Sequence, residues 1–369
     1  MNISLVNSCP YLGGAEFWFL RAAVYLKARG HKVEFFSRPG GLADRAEGLG
    51  IPATRLPMRF DLDLVSFLRF FFAFRKSRPQ VVLLNDQREC RLAGPAAAWT
   101  GVPVRVQRKG WPYMKNSWRD RLVYTRFINH IICVSSHVRD EMLKVPGLDP
   151  ERVRLFPNAV DWQRFAEARP GDLRREIGLA QDSKLVGTVG RLVSQKGHDI
   201  FIRMAGKLLD KGLNADFIII GEGKDEALFR GLIQTLDLKD RVRLVGFRDD
   251  LPEILKSLDV FVFPTLEEGM PNALLEAMAS GLPVVASDIP GARELIEHET
   301  SGILIPPGDV SALAQAVEKI LRDPGLAQAL GRNGAKFVRE NHDQDKMFDR
   351  LEQYLNEMVE RESRVRKDP

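Results

Sequence analysis

Two cations five residues apart, in the run Arg191-Leu-Val-Ser-Gln-Lys196-Gly197, follow the apolar stretch Leu185–Gly190 and open a helix near His198. Arginine clamps phosphate oxygens through two parallel hydrogen bonds and lysine adds a mobile point charge, so the pair suits a diphosphate and the charge that grows on it as it departs. Helix starts disfavour cations, which makes an anion site a better account than two solvated surface charges. A second run, Phe263-Pro-Thr-Leu-Glu-Glu268-Gly269-Met270-Pro271-Asn272-Ala-Leu-Leu-Glu276, carries a strand through a Gly/Pro turn into a helix that Asn272 is expected to cap. Leu274, Leu275 and Met278 form the buried stripe of that helix. Glu276 then lies on another face, where a carboxylate can take paired ribose hydroxyls, while Glu268 can reach a sugar hydroxyl or a developing positive charge. Two ordinary acids on a surface helix are the competing reading. Near the start, Gly13-Gly14 follows the first apolar run, where small residues let backbone N–H groups approach a phosphate. The pattern is not G-x-G-x-x-G and no acid closes a second strand, so no nicotinamide or flavin cofactor is expected.

Stepping along the chain, short apolar runs alternate with amphipathic stretches from end to end, which predicts parallel sheets covered by helices. The first series of strands is Ile3–Asn7, Lys32–Ser37, Val81–Asn85, Val102–Gln107, His130–Val134 and Val153–Phe156; the second is Leu185–Gly190, Ala215–Gly221, Val242–Gly246, Val260–Pro264, Pro283–Ala286 and Gly302–Ile305. Between them lie an interdomain crossing, Phe156–Asp161, and the turn-rich Ala168–Asp172. The predicted division is 1–165, 166–342 and a tail from Asp343 to Arg366, whose Met347, Phe348, Leu351, Tyr354, Leu355 and Met358 fall at helical spacing. Two doubly wound domains result, with ligands at the C-terminal strand ends of a deep cleft.

The 369 residues, 44% hydrophobic and 28% charged, exclude a disordered or collagen-like chain. Cys9, Cys90 and Cys133 form neither a paired framework nor a metal clip, which fits a reducing cytoplasm. The first residues read as a strand rather than a secretion signal, and no segment approaches the ~20 uninterrupted apolar residues of a membrane span. Residues 1–165 carry 26 Lys+Arg and 14 Asp+Glu, whereas 166–369 carry 28 and 35. A basic first half implies an anionic partner. Phe60–Arg78 mixes five phenylalanines between 67 and 74 with Arg69, Arg75, Lys76 and Arg78; an interfacial helix on an anionic membrane and a buried domain helix account for it equally well. The loop Arg108–Arg121, with Arg108, Lys109, Trp111, Tyr113 and Trp118, is the candidate for sugar stacking and acceptor contact. The aspartate pairs Asp61/Asp63 and Asp343/Asp345 fall at helix starts, where aspartates cap, and no metal site is expected.

Taken in order, these pieces resemble the retaining glycosyltransferases of family 4, which have the GT-B fold. The resemblance covers almost the whole chain: Gly13-Gly14-Ala15-Glu16, Val134-Ser135, Pro157-Asn158, Gly190-Arg191-Leu192, Lys196-Gly197, Gly221-Glu222-Gly223, Val245-Gly246-Phe247, and Glu268 followed by Glu276-Ala277. It implies that Arg191 and Lys196 hold the donor diphosphate, Glu276 the ribose, and that Glu268 positions the transferred sugar. It further implies contacts to donor from Gly13, Gly14, Gly221 and the Gly269, Met270, Pro271 and Asn272 backbone, with Phe247-Arg248 at the edge of the base pocket. Family members generally need no bound metal, and their final helix crosses back to the first domain. Two departures are Arg108-Lys109-Gly110-Trp111 where many members carry a histidine, and Asn158-Ala159 in place of Asn-Gly. The implied reaction moves a sugar from a nucleotide-sugar donor, with UDP as default base, to a glycan or lipid-linked acceptor in envelope polysaccharide, lipopolysaccharide or glycolipid assembly. The expected location is cytoplasmic and peripheral on the inner face of the membrane, with no nucleic-acid partner. A nucleotide-sugar epimerase or a non-catalytic nucleotide-sugar-binding subunit are the alternatives.

Overall fold

Strands buried on both faces of a parallel sheet read as unbroken apolar runs, and Val81–Leu84 and Val260–Phe263 are buried at every residue. The computed structural model describes residues 1–9, 13–113, 117–180 and 182–365. It divides into one unit of Met1–Pro157 with Asp345–Pro369 and another of Asn158–Gln344, so the break falls within the predicted crossing Phe156–Asp161, and residues 158–165, placed in the first domain from sequence, go with the second unit.

The first unit contains β1 (Asn2–Asn7), α1 (Gly14–Ala28), β2 (Lys32–Ser37), α2 (Gly41–Gly48), β3 (Ala53–Arg55), α3 (Leu64–Ser77), β4 (Val81–Leu84), α4 (Gln87–Trp99), β5 (Val104–Lys109), α5 (Trp118–Leu122), β6 (His130–Cys133), α6 (Ser136–Leu143) and β7 (Val153–Leu155). All pairs are parallel, in the order β3-β2-β1-β4-β5-β6-β7. The order reverses between β1 and β4, so right-handed crossovers place α1 and α2 on one face and α3 and α4 on the other. Ser135 caps α6 by accepting the Val138 N–H, and Asp63 caps α3 by accepting from Ser66. Its neighbour Asp61 does not cap; it pairs with Arg91.

The second unit has α7 (Trp162–Glu167), α8 (Leu173–Glu176), β8 (Lys184–Val189), α9 (His198–Asp210), β9 (Ala215–Ile220), α10 (Glu226–Thr235), β10 (Val242–Leu244), α11 (Leu251–Lys256), β11 (Val260–Phe263), α12 (Asn272–Ala279), β12 (Val284–Ser287), α13 (Pro290–Arg293), β13 (Ile303–Ile305), α14 (Val310–Arg322) and α15 (Pro324–Asn341). Its parallel sheet runs β10-β9-β8-β11-β12-β13, with the switch between β8 and β11. The last helix, α16 (Gln344–Val365), returns to the first unit: Phe348 packs on the rings of Trp18 and Tyr25, and Tyr354 on Phe156. Both units are Rossmann-like, as the sequence predicts.

Three expectations need correction. Strand β5 lies two residues downstream of Val102–Gln107, because Pro103 has no N–H for the ladder and pairing starts at Val104. Arg108 and Lys109 therefore end a buried strand and are not loop residues. Strand β3, three residues on the sheet edge, escapes the sequence reading because it is too short to show a period. Asn272 does not cap α12; Pro271 occupies the cap position in extended geometry and Asn272 is the first helical residue. Of the acceptor-side loop, residues 114–116 lie outside the described residues, as do Leu12 and Arg366.

Candidate functional site

Ligands of open α/β sheets sit beyond the C-terminal strand ends at the switch point, which in the second unit means the loops after the adjacent strands β8 and β11. These loops carry the two runs singled out in the sequence. The chain leaves β8 through Gly190 and folds Ser194–Lys196 into a 3-10 turn closed by Gly197 at φ +68°, a left-handed conformation glycine adopts without strain. An added Cβ at Gly197 would also stand 2.1 Å from the Pro264 carbonyl oxygen at the end of β11, so only glycine lets the two loops meet.

Their meeting brings Lys196 and Glu268 together: Nζ donates to Oε2 at 2.7 Å, with both side chains mostly buried, at 14% and 20% exposure. The Gln195 side chain donates to the Glu267 carbonyl and the Leu266 N–H donates to the Gln195 carbonyl, each at 3.0 Å. Arg191 is exposed, and its guanidinium makes no ion pair among the described residues. An exposed arginine and a lysine neutralised by a carboxylate therefore stand five residues apart on one pinned loop.

Several further groups hold this loop, and sequence reading did not find their roles. His198 is buried, and its Nε2 meets the Arg191 carbonyl at 3.0 Å. Since a carbonyl only accepts, Nε2 carries the proton, and burial pushes the imidazole pKa down to about 4. Asp225 Oδ2 accepts from Ser194 N and Oγ at 2.8 and 2.9 Å, which lowers its own pKa. Gly221 lies at φ +135° with no room for a side chain against the Gly190 carbonyl, so it acts here as a packing contact behind the loop. The turn after β11 has its own brace: Asn158 Nδ2 donates to the Met270 carbonyl at 2.9 Å, and His342 Nδ1 meets the Asn158 carbonyl at 2.7 Å. Asn158 belonged to a recognised motif, but only the fold reveals that it supports Met270.

Gly269, Met270 and Pro271 are buried, leading into the start of α12, whose first N–H groups have no helical partners. Glu276 is half-buried on the second turn of that helix. Of the expected base-pocket pair, Phe247 is exposed, whereas Arg248 is taken by Glu176 and by Asp250, at 2.9 and 2.7 Å from Nη2. Those carboxylates raise its pKa further, and its guanidinium serves as a link between β10's loop and α8.

In the first unit Gly13 is the N-cap of α1, followed by Gly14, and the carboxylate of Glu16 folds back toward it. Glu16 accepts weakly from Asn7 and Asn85 at 3.4 and 3.5 Å. Arg108 lies with its guanidinium 4.5 Å above the Trp18 ring, and burial lowers its pKa to about 10 against the pull of Glu16. Lys109 is likewise lowered by burial, and its Nζ donates to the Tyr113 carbonyl at 3.2 Å. Trp111 is half-buried and Tyr113 exposed. Among the described residues no three His, Cys, Asp or Glu side chains cluster to hold a metal ion.

The two halves match two family descriptions, Glycosyltransferase Family 4 over residues 12–164 and Glycosyl transferases group 1 over 171–337. The UDP-Gal:alpha-D-GlcNAc-diphosphoundecaprenol alpha-1,3-galactosyltransferase of Escherichia coli is 28% identical across 97% of this chain and 97% of its own length. The alpha-D-kanosaminyltransferase of Streptomyces kanamyceticus is 30% identical across 83% of this chain and 89% of its own. The crystal structure of Anabaena HepE in complex with UDP and glucose has the same fold, with TM-score 0.87 at 20% identity over 96% of this chain and 99% of that one. The chain thus belongs to the family 4, group 1 glycosyltransferases and has their GT-B fold.

Proposed function

We propose that the protein transfers a sugar, with retention of anomeric configuration and without a bound metal, from a UDP-sugar to a hydroxyl of a lipid-linked or other glycan acceptor. The reading places it on the inner face of the cytoplasmic membrane, in assembly of an envelope polysaccharide, lipopolysaccharide or glycolipid. The observation that carries it is the Lys196–Glu268 contact at the switch point, with Arg191 on the same loop as Lys196 and the start of α12 following the turn that carries Glu268. UDP and a diphosphate-linked lipid acceptor are brought in from the Escherichia coli relative's name, and UDP also from the Anabaena complex.

In this reading Arg191, Lys196 and the α12 N–H groups hold the diphosphate, and Glu276 takes the ribose hydroxyls. Glu268 orients the sugar. The acceptor oxygen bonds to the anomeric carbon on the face from which the diphosphate leaves, the bond from that carbon to the phosphate oxygen breaks, and a phosphate oxygen takes the acceptor's proton. Charge developing on the departing diphosphate meets cations already in place.

Calorimetric titration with UDP, GDP and ADP, each with and without magnesium, tests the donor assignment. Saturable, magnesium-independent UDP binding that weakens tenfold or more in Glu276→Ala is expected. Binding of GDP or ADP alone moves the donor class, and no binding of any of them overturns the reading. NMR of the product's anomeric centre tests retention, and turnover without acceptor would select an epimerase.

A further inference from the structure

Helix α3 buries only a narrow stripe. Ser66, Phe70 and Phe74 face inward at four-residue spacing, and the rings of Phe70 and Phe74 sit 5.5 and 5.6 Å from Phe36 of β2. At 100° per residue, Leu64, Leu68 and Phe72 form a second apolar stripe about 160° from the first. It faces solvent: Leu64 is 65% exposed and Phe72 64%. The loop before the helix adds Phe60 and Leu62, at 58% and 67%. Trp99, at the end of α4, is held edge-on to Phe67 at 5.4 Å and extends the surface at 64% exposure. Contiguous exposed apolar surface of this kind marks an interaction site.

Its charges have one sign. Between residues 59 and 78 the cations Arg59, Arg69, Arg75, Lys76 and Arg78 are all exposed. Of the two acids of the segment, Asp63 is the buried cap of α3, and Asp61, 44% exposed, is neutralised by its ion pair with Arg91. Arg69, Arg75 and Lys76 rise from the same outer half of the helix as Leu68 and Phe72, where long stems can lie along apolar surface and lift their charges to a layer above it.

From this juxtaposition we infer that the outer face of α3, with Phe60, Leu62 and Trp99, is a docking surface for a bilayer carrying anionic headgroups. The apolar side chains enter the headgroup–acyl boundary while the cations meet lipid phosphates. The helix, about 21 Å long, lies along the membrane; no helix among the described residues is long and apolar enough to cross one. This deepens the proposal of a membrane-borne acceptor by naming the surface that meets the membrane, and its test does not depend on transfer.

The experiment is flotation of the full chain with phosphatidylcholine vesicles, with and without phosphatidylglycerol. Binding should be at least tenfold stronger with the anionic lipid and fall steeply between 50 and 500 mM salt, roughly one Debye length shortening to a third. The double variant Leu68→Glu/Phe72→Glu should lose binding tenfold or more to both vesicles. Arg69→Glu/Lys76→Glu should lose only the preference for anionic lipid. Titration with UDP reports on the second unit and should be unchanged in both variants, so failure of UDP binding in the parent chain counts against the proposed function and leaves this inference standing. A cooperative melting transition within a few degrees of the parent shows that the first unit is folded. Absence of vesicle binding by the parent chain, binding indifferent to the α3 substitutions, or a dimer that those substitutions dissociate, would each overturn the membrane surface.

Discussion

The two units share one topology but furnish their switch points in different ways. Beyond β8 and β11 the ionic groups lie at the edge of solvent: Arg191 is exposed, and Lys196 and Glu268 keep partial access while neutralising each other. Beyond β1, β4 and β5 the corresponding groups are buried: Asn7, Glu16, Glu89, Arg108 and Lys109 are all at most 6% exposed. Burial there lowers both cations and raises the carboxyl of Glu89, which Asp86 pushes the same way against two backbone N–H donors. An accessible, internally balanced pair can exchange its partner for an anionic ligand at little cost, whereas a desolvated cation is held where protein groups put it. Under the proposed function, this difference predicts exchange of a charged ligand in the second unit and rigid positioning in the first.

The largest expected effect breaks the Lys196–Glu268 pair. Lys196→Ala should lower kcat by about two to three orders of magnitude, as removal of a preorganised charge at a developing anion does, with a smaller loss of UDP affinity. Glu268→Gln sharpens the comparison because it frees the lysine: turnover should fall while UDP binds several-fold more tightly. If UDP affinity falls in Glu268→Gln, the carboxylate is not competing with the diphosphate for Lys196, and the idea of an exchangeable pair fails.

In the first unit the matching substitution is Lys109→Met, which keeps the length of the side chain and removes its charge. Acceptor KM should rise about tenfold with UDP affinity unchanged, since the group stands in the unit expected to hold an anionic acceptor. A change in melting temperature with no change in acceptor KM would make Lys109 a purely structural cation and remove it from the acceptor side. Trp111→Ala should act in the same direction, raising acceptor KM more than donor KM.

How much of this was legible depends on the range of the interaction. Buried parallel strands advertise themselves, so all but one strand can be read from apolar runs; β3 is three residues long and shows no period. The loops that carry Arg191, Lys196, Glu268 and Glu276 are legible because glycine, proline and charge fall at fixed local offsets. What sequence withholds is who meets whom. Lys196 and Glu268 are 72 residues apart, as are Arg248 and Glu176, and neither partnership has a local signal. Asn158 reaches Met270 across 112 residues. The outer stripe of α3 was ambiguous for a related reason: Phe60–Arg78 is apolar nearly all round, and only the packing of Phe70 and Phe74 on β2 decides which half is left over.

The smallest expected effect is a dependence on pH that separates the two units. His198 and His130 are both buried and both lowered to about 4 from an ordinary 6.5, so each stays neutral in the folded chain while an unfolded chain takes up the proton first as pH falls. Their contribution is therefore complete above about 6.5 and is lost progressively down to about 4, on the order of 2 kcal/mol each at pH 5. His198→Gln, which keeps a donor for the Arg191 carbonyl, and His130→Gln should each narrow the melting-temperature gap to the parent as pH drops from 8 to 5, by about 4–8 °C. Only one of them should touch the ligand. His198 anchors the Arg191 carbonyl and stays neutral in the folded chain at pH 5, so the parent's UDP affinity should hold from pH 8 to 5, while His198→Gln should lower it by the same modest factor at both. His130 opens β6 at the opposite, N-terminal end of its strand, beside Tyr354, and its substitution should leave the UDP profile as it was. Equal effects of the two substitutions on UDP binding would mean that the exposed site of the second unit is not set by its own loop, and the contrast between the two switch points would not hold.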